Sequence, residues 1–456
     1  MFSKSFAVLS LALYAAVFLA GTLFASSIAR LTDLGSLFDF KRLLVIAVIA
    51  CSAFILSPAR QLRSTSLSAT SVVALLVFFV VGVASALNSA HPYWSFVELA
   101  NIGLMVLAFF ICSICCGTLS KSSVFRALYW FTVLFSFILL LQFSLKLTQH
   151  LLTATKPGIY SLISGFDNPR ILNQLQVMLL PLLFLPFLLS PLRPFQLLSL
   201  LLMAGHWMVM LQTEARGACL AILLAFGLVG WFSAPTVRTV LFRAFFLAML
   251  LGLVYWAVFV IALPYWMIGD SNLRLRTGSS GRTELWLYTL NRIPEHFWLG
   301  HGPMSFAWGD GKPLPNAHPH NASLQILYEY GFLGFLPLLC WVCCMLSTAL
   351  KKLRRPEHLS ANTALLLSIL SALFYAHVSG VIVMPLTQLM LVCLIAFYQP
   401  AISNSPLTQQ RKWLLAIAAL AFSVMVLSSY DNQQLSSSKI PRLWQQGLVN
   451  PQELSR

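Results

Sequence analysis

Four short polar groups stand out in a chain that is otherwise strongly apolar, and each contains an arginine or a histidine beside hydrogen-bonding side chains. They lie at 167–170, 212–217, 281–286 and 318–321 and read DNPR, QTEARG, GRTELW and HPHN. Arginine offers a planar set of donors to phosphate oxygens and stays charged at any relevant pH. A neutral imidazole, with a pKa near about 6.5, can take a proton from an attacking hydroxyl. These residue types therefore fit the displacement of a diphosphate by a hydroxyl, with arginines neutralising the leaving charge.

Each group also has a simpler interpretation. Arg170 and Arg216 could extend to lipid head groups, as arginines at the ends of membrane helices often do. The spacing of His318 and His320 resembles a metal-binding pair, but no third ligand is evident nearby in the sequence. We expect no metal and no other cofactor. We favour the chemical interpretation because the four groups complement one another: the arginines can neutralise a diphosphate, and a histidine can take up a proton.

The elements that must position these groups are membrane helices. Of the 456 residues, 59% are hydrophobic and 9% are charged, and the mean hydropathy is +0.82. Apolar runs long enough to cross a bilayer recur along the whole chain. The sequence predicts an all-α polytopic membrane protein with 12 or 13 transmembrane helices, at 5–25, 43–57, 69–87, 96–116, 124–145, 171–190, 195–213, 216–232, 241–264, 323–345, 362–380, 383–399 and 413–428.

The net charge of +16 does not indicate a nucleic-acid partner, because the cations lie in loops between apolar runs rather than in a basic stripe with interleaved aromatic residues. Most Lys and Arg residues in the short loops fall on the side of the N-terminus, which predicts a cytoplasmic N-terminus. The longer segments on the predicted outer side do not follow this bias, because they also contain many Lys and Arg residues. We expect contacts with membrane lipids and a need for cations on the outer face.

The longest loop, at about 265–322, is the most polar part of the chain. Within it, apolar residues recur at three- and four-residue spacing, which predicts a short amphipathic helix at the membrane surface: Trp286, Leu290, Ile293 and Phe297. We expect one transmembrane domain over 1–428, with this loop carrying the catalytic groups. A short tail on the outer side follows at 429–456.

Several of these motifs resemble a known family. Arg282 and Trp286, the pair Gly300-x-Gly302, His320-Asn321-x-x-Leu324 and Gly331-x-x-Gly334 follow one another as in the shared region of O-antigen ligases, O-antigen polymerases and bacterial O-oligosaccharyltransferases. The groups at 167–170 and 214–217 also stand where such proteins carry related motifs. The resemblance covers about residues 165 to 345.

The resemblance implies a GT-C-like, metal-independent glycosyltransferase that takes a glycan from undecaprenyl diphosphate on the periplasmic face of the bacterial inner membrane. It implies catalytic roles for His320, Arg216 and Arg282. Substrate binding would fall to four further residues, namely Arg170, His318, Asn321 and Trp286. Whether His318 or His320 is the principal histidine stays open. Glu214, which would repel a diphosphate, is left outside the site.

Members of this group differ in the acceptor of the glycan. Only 28 residues follow the last predicted helix, which favours an O-antigen ligase acting on lipid A–core. Glycosylation of a protein such as pilin, and O-antigen polymerisation, remain alternatives. A flippase or transporter of lipid-linked glycan is a further alternative. It is less favoured because transporters place ionisable residues near the membrane midplane, whereas here the mid-span candidates are only His206 and His377, with Glu98 near the start of a span.

Overall fold

The fold is entirely helical in the part of the chain that the structure, a computed structural model, describes: residues 2–32, 36–59, 62–270, 278, 280–354, 361–400, 403, 405–430 and 442–445. Within these ranges no sheet forms, and Arg63 and Pro406 make a single antiparallel bridge. The predicted all-α polytopic class is confirmed. Arg274 and Arg276, in the predicted long loop, lie outside the described residues.

The α-helices of the described residues are α1 (Phe2–Gly21), α2 (Ala25–Thr32), α3 (Leu37–Leu56), α4 (Ala69–Leu87), α5 (Pro92–Thr118), α6 (Lys121–Leu152), α7 (Pro169–Leu179), α8 (Leu185–Leu188), α9 (Gln196–Gln212), α10 (Arg216–Phe232), α11 (Pro235–Tyr255), α12 (Leu263–Ile268), α13 (Arg282–Arg292), α14 (Ala322–Leu353), α15 (Asn362–Tyr375), α16 (Pro385–Tyr398) and α17 (Gln409–Leu427). A 3-10 segment joins α7 to α8, and a π-helical turn, Trp256–Ala262, joins α11 to α12.

Every predicted apolar run corresponds to a helix or to consecutive helices. Within the described ranges, nine segments are long and apolar enough to cross a membrane, and α10, α15 and α16 are shorter apolar helices. Helix α3 completes the set of thirteen, although Asp39, Lys41 and Arg42 make its first turns polar. Several predicted boundaries differ from the observed ones, and one of them moves a candidate residue: the run 362–380 ends as a helix at Tyr375, so His377 lies in the following turn.

Loops assigned to one side of the membrane lie together in space. On the side predicted to be outer, Lys41 Nζ pairs with Asp167 Oδ2 at 3.2 Å. On the opposite side, the backbone N–H of Ser64 donates to the carbonyl of Ser405, and the Nη1 of Arg411 donates to Ser64 Oγ. The alternation predicted from the sequence is therefore consistent with the packing. Which face is periplasmic stays a prediction.

Helix α14 is broken at Gly331, where φ is +62° and ψ is −171°. This backbone conformation is essentially restricted to glycine. The amide N–H groups of Phe332 and Leu333 donate to the carbonyls of Phe297 and Trp298 in the long loop, at 2.8 and 3.1 Å. A Cβ added to Gly331 would lie 2.4 Å from the Trp298 carbonyl oxygen, so the two backbones touch.

The glycine motif of the loop meets the same break from the other side. Gly300 has φ +74°, and a Cβ there would lie 2.5 Å from the backbone of Glu329 and from that of Gly331. The amide of Gly302 donates to the Glu329 carbonyl at 3.1 Å. Gly300, Gly302 and Gly331 thus serve one purpose, which is to dock the long loop into the break of α14.

The predicted amphipathic helix exists as α13, and the face that it packs inside the protein carries Leu285. Leu285 is fully buried and packs with Ile293, Phe306 and Tyr328. In contrast, 49% of Leu290 and 39% of Phe297 are exposed, and Trp286 is half-buried. The reason is that α13 packs against the first turns of α14, which selects the face carrying Leu285. Its position at a membrane surface stays a prediction.

We predict that Gly331→Ala lowers the free energy of unfolding by at least about 2 kcal/mol, because the alanine would combine a glycine-only backbone with a clash against the loop. The measurement is the thermal unfolding midpoint of the purified protein in detergent. Gly227→Ala is the matched control, since a Cβ at Gly227 in α10 meets nothing within 4 Å. Equal midpoints for the two variants would contradict the docking.

Candidate functional site

The first arginine of the site stands at the beginning of α7. The side-chain oxygen of Asn168 accepts a hydrogen bond from the Arg170 amide at 2.9 Å, and Pro169 occupies the first helical position. Both features are typical of helix N-termini. The predicted group 167–170 is therefore a helix start, tied to α3 by the Lys41–Asp167 pair.

The second arginine opens α10 directly after a tight turn. Glu214 adopts a left-handed backbone, with φ +52°, and the Ala215 amide donates to the Met210 carbonyl at 3.0 Å. This turn brings the end of α9 against the start of α10 and leaves Arg216 exposed. The Nη2 of Arg216 donates to the carbonyl of Gly278 in the long loop at 3.0 Å.

The third arginine is the first residue of α13, and it brings the three cations together. Arg282 follows Gly281, whose φ is +74°, and is half-buried. Burial lowers the pKa of its guanidinium, and the charges of Arg170 and Arg216 lower it further. Three arginines from distant parts of the sequence therefore lie close enough to repel one another.

The two histidines form a hydrogen-bonded chain beside these arginines. His318 Nε2 lies 3.1 Å from His320 Nδ1, and His320 Nε2 lies 2.9 Å from Asn316 Nδ2. With the Asn316 amide donating, His320 carries its proton on Nδ1 and donates it to His318. The left-handed backbone of His320, with φ +56°, turns its ring towards both partners.

His320 is a neutral imidazole in the site. Burial lowers its pKa to about 4, and the charges of Arg282 and Arg170 contribute to this shift. His318 is buried, and its pKa is also well below the ordinary value, first because of burial and then because of His320, Arg442 and Lys312. The sequence predicts a neutral imidazole with a pKa of about 6.5. In the folded site both pKa values lie lower, because burial and neighbouring positive charges oppose protonation.

Trp286 and Asn321, which the resemblance assigned to substrate binding, hold the backbone around the histidines. Trp286 Nε1 donates to the Pro319 carbonyl at 3.0 Å. The Asn321 side-chain oxygen accepts from the Leu324 amide at 3.1 Å and caps α14. The Ala322 amide donates to the Ala376 carbonyl, which ties this loop to the end of α15. A direct contact of Trp286 or Asn321 with substrate stays a prediction.

Three residues that shape the site could not be identified from the sequence: Asn316, Lys312 and Gly380. Asn316 stands among the prolines of the run 313–319, and nothing in that run marks it. Lys312 Nζ donates to the carbonyls of Phe306, Ala307 and Asn316, at 3.0, 2.8 and 2.9 Å, and so closes the loop that carries Asn316. A Cβ on Gly380 would lie 2.6 Å from His318 Nε2, so only glycine leaves room for the ring. None of these residues belongs to a recognisable motif, because the contacts that give each its role form only in the folded chain.

The ionisable residues considered for a transporter are engaged in structural contacts. His206 is fully buried between Ser136 Oγ at 2.8 Å and Gln176 Nε2 at 3.1 Å. His377 bonds Ser323 Oγ and the Leu373 carbonyl. Glu98 pairs with Arg442 at 3.1 Å. Both histidines thus make the hydrogen bonds expected of structural side chains.

The described residues contain no group of three or more His, Cys, Asp or Glu side chains arranged to hold a metal ion. Two histidine rings in this site bond each other. The independence from metal inferred from the sequence stays a prediction.

The fold and the site define a polytopic membrane protein whose arginines and histidines gather at one end of the helices. Comparison with known proteins agrees. Residues 198–339, a little under a third of the chain, match the family model described as O-antigen ligase. This region includes Arg216, Arg282 and His320, so the match confirms the resemblance and spans three of the residues that it implicated.

A curated relative supports the same family. The chain is similar to a protein of Pseudomonas aeruginosa named O-antigen ligase, with 34% identity over 99 residues. The match covers 21% of this chain and 24% of the relative. The chain thus spans about a quarter of the length of the curated relative that it matches.

We predict that His320 in the substrate-free protein protonates only near pH 4. Nuclear magnetic resonance of ¹³C-labelled histidine, with the His320 signal assigned by its loss in His320→Gln, measures this pKa. Arg282→Gln should raise the pKa towards about 6.5, because a neighbouring positive charge is removed. A wild-type titration near 6.5, unchanged in Arg282→Gln, would contradict the geometry.

Proposed function

We propose that this protein is a membrane glycosyltransferase of the O-antigen ligase type. It moves a glycan from undecaprenyl diphosphate to a hydroxyl of lipid A–core, without a metal. The observation that carries the proposal is the convergence of Arg170, Arg216 and Arg282 beside the neutral imidazole of His320.

Helix geometry strengthens the case for a diphosphate. All three arginines stand in the first turn of a helix: α7, α10 and α13. The N-terminus of a helix is the positive end of its dipole, where acidic side chains are normally favoured. Cations placed at three such ends, close to one another, are unfavourable unless an anion binds between them. A diphosphate supplies that anion.

The reaction follows from these positions. The acceptor hydroxyl attacks the anomeric carbon of the glycan, a new C–O bond forms, and the bond to the diphosphate oxygen breaks. His320 Nε2 takes the hydroxyl proton. The diphosphate leaves with the bonding electron pair, and the arginines stabilise its charge. Lipid-bound diphosphate and glycosylated acceptor are the products.

Asn316 occupies His320 Nε2 in the free protein, so the acceptor hydroxyl must displace its amide. Burial and, after it, the charges of Arg282 and Arg170 keep the pKa of His320 near 4, and binding of the anionic diphosphate would offset those charges. Donor binding therefore makes His320 a better base for the second substrate. His318 keeps the imidazole oriented by accepting its Nδ1 proton.

The acceptor is proposed to be lipid A–core because both the family model and the relative from Pseudomonas aeruginosa are described as O-antigen ligase. Transfer to a protein such as pilin, or polymerisation, would use the same chemistry with another hydroxyl. The distribution of Lys and Arg supports a cytoplasmic N-terminus, which places the site on the periplasmic face of the bacterial inner membrane. A GT-C-like ancestry remains part of this proposal.

We predict that Arg216→Ala, Arg282→Ala and His320→Ala each reduce transfer by at least about 100-fold, because each variant loses stabilisation that is made in the transition state. The assay is carried out in a host that lacks its own O-antigen ligase, with lipopolysaccharide and pilin examined in the same cells. Arg238→Ala, on an exposed turn of α11, is the matched control and should behave as the wild type.

A lipopolysaccharide ladder made by the wild type and the control, but by none of the three site variants, is the expected result. Glycan on pilin alone would move the acceptor to protein. A full ladder from all three site variants, with each present in the membrane, would reject the site.

Transfer by isolated membranes should also survive EDTA, because arginines rather than a divalent ion neutralise the leaving diphosphate. The rate of transfer with and without chelator measures this. Complete loss of activity that one added metal restores would instead assign a metal to His318 and His320.

A further inference from the structure

In a short segment beyond the last helix, residues 442–444 are buried among the helices and Gln445 is exposed. Leu443 and Trp444 are fully enclosed, and the Arg442 side chain is 2% exposed. The side chain of Arg42 in α3 donates to the carbonyls of Arg442 and Leu443, both at 3.3 Å. At the other end of the segment, the Gln445 amide donates to Asp39 Oδ1. Polar contacts at both ends thus hold this segment against the helices, which raises the question of what the buried Arg442 side chain does there.

The Arg442 side chain joins two helices that are distant in sequence. Its Nη2 lies 3.1 Å from Glu98 Oε1 in α5 and 2.9 Å from Glu329 Oε2 in α14. With its amide oxygen turned to the guanidinium, Gln325 of α14 accepts from Nη1 and Nη2 at 2.6 and 2.7 Å. Both carboxylates are buried, so Arg442 is the counter-charge that lets them lie together.

The contacts fall on the turns of α14 that follow the candidate histidines. Asn321, Gln325 and Glu329 are spaced by four residues and so share one face of the helix. Arg442 therefore contacts α14 at positions one and two turns beyond Asn321. Asn321 directly follows His320 in the sequence. The Glu329 carbonyl also accepts from Ser85 Oγ and from the Gly302 amide, at 3.0 and 3.1 Å. Glu329, which pairs with Arg442, is therefore also hydrogen-bonded to the docked loop.

We propose that Arg442 is a positioning residue for glycan transfer, which clamps the first section of α14 to α5 and so fixes the loop carrying His318 and His320. This role rests on the proposed function. Arg442 does not belong to the arginine group that holds the donor. Its loss should therefore affect the rate of the chemical step more than the binding of donor.

The test compares the wild type with Arg442→Gln in membranes. We expect kcat for transfer to fall at least about tenfold with little change in the KM for donor, because small displacements of a catalytic group are costly. Arg442→Lys keeps the charge but loses the planar fork, and should recover part of the rate. Wild-type kcat in Arg442→Gln would overturn the proposal.

A second readout needs no activity. Hydrogen–deuterium exchange of peptides covering 312–330 should be at least about tenfold faster in Arg442→Gln, and unchanged in the control Arg238→Gln. Unaltered exchange in Arg442→Gln overturns the positioning role, even if the protein transfers no glycan at all. Failure of the wild type to transfer, with faster exchange in the variant, would instead reject the proposed function alone.

Arg442→Gln leaves two buried carboxylates without their partner and could fail to fold. In that case the neutral variant Glu98→Gln/Glu329→Gln/Arg442→Gln takes its place, since it removes the three charges together. The same fall in kcat and the same faster exchange at 312–330 are expected. Wild-type values for both would overturn the proposal.

Discussion

Mutual repulsion among Arg170, Arg216 and Arg282 is the constraint on which the rest of the site depends. Three guanidinium groups stand at the positive ends of three helices. Burial lowers the pKa values of Arg282 and His320, and the charges of the neighbouring arginines lower them further. Three neighbouring arginines become a favourable arrangement when a dianionic ligand binds between them. Before such a ligand binds, their charges help to keep the imidazole of His320 neutral.

Holding such a site together requires contacts away from the charges. The break of α14 at Gly331 admits the loop around Gly300, so that the long loop and the helix share backbone hydrogen bonds. Lys312 closes the following loop through three carbonyls, and Gly380 leaves space for His318. Arg442 then ties the same helix to α5. The three site arginines repel one another and cannot hold the site together. Backbone contacts and the buried cluster of Arg442, Glu98 and Glu329 thus supply the rigidity.

Much of this organisation could be predicted from the sequence, because bilayer thickness imposes a length on apolar runs and a family pattern marks the polar groups. The helices and the gathering of Arg170, Arg216, Arg282 and His320 follow from those two signals. The buried face of α13 could not be predicted, since the packing partner rather than the periodicity selects Leu285 over Leu290. The roles of Gly380 and Arg442 could not be predicted either, because they depend on neighbours tens to hundreds of residues away. Asn316 lies only four residues from His320, but the sequence does not show that their side chains meet. The pKa of His320 depends on burial and then on how closely the arginines approach, and both follow from the fold.

The most direct test of the central claim is a structure of the His320→Gln variant with undecaprenyl-diphosphate-linked glycan bound. The account predicts diphosphate oxygens within hydrogen-bonding distance of Arg170, Arg216 and Arg282, with the anomeric carbon facing residue 320. A diphosphate bound at the opposite end of the helices, or away from these arginines, would contradict it.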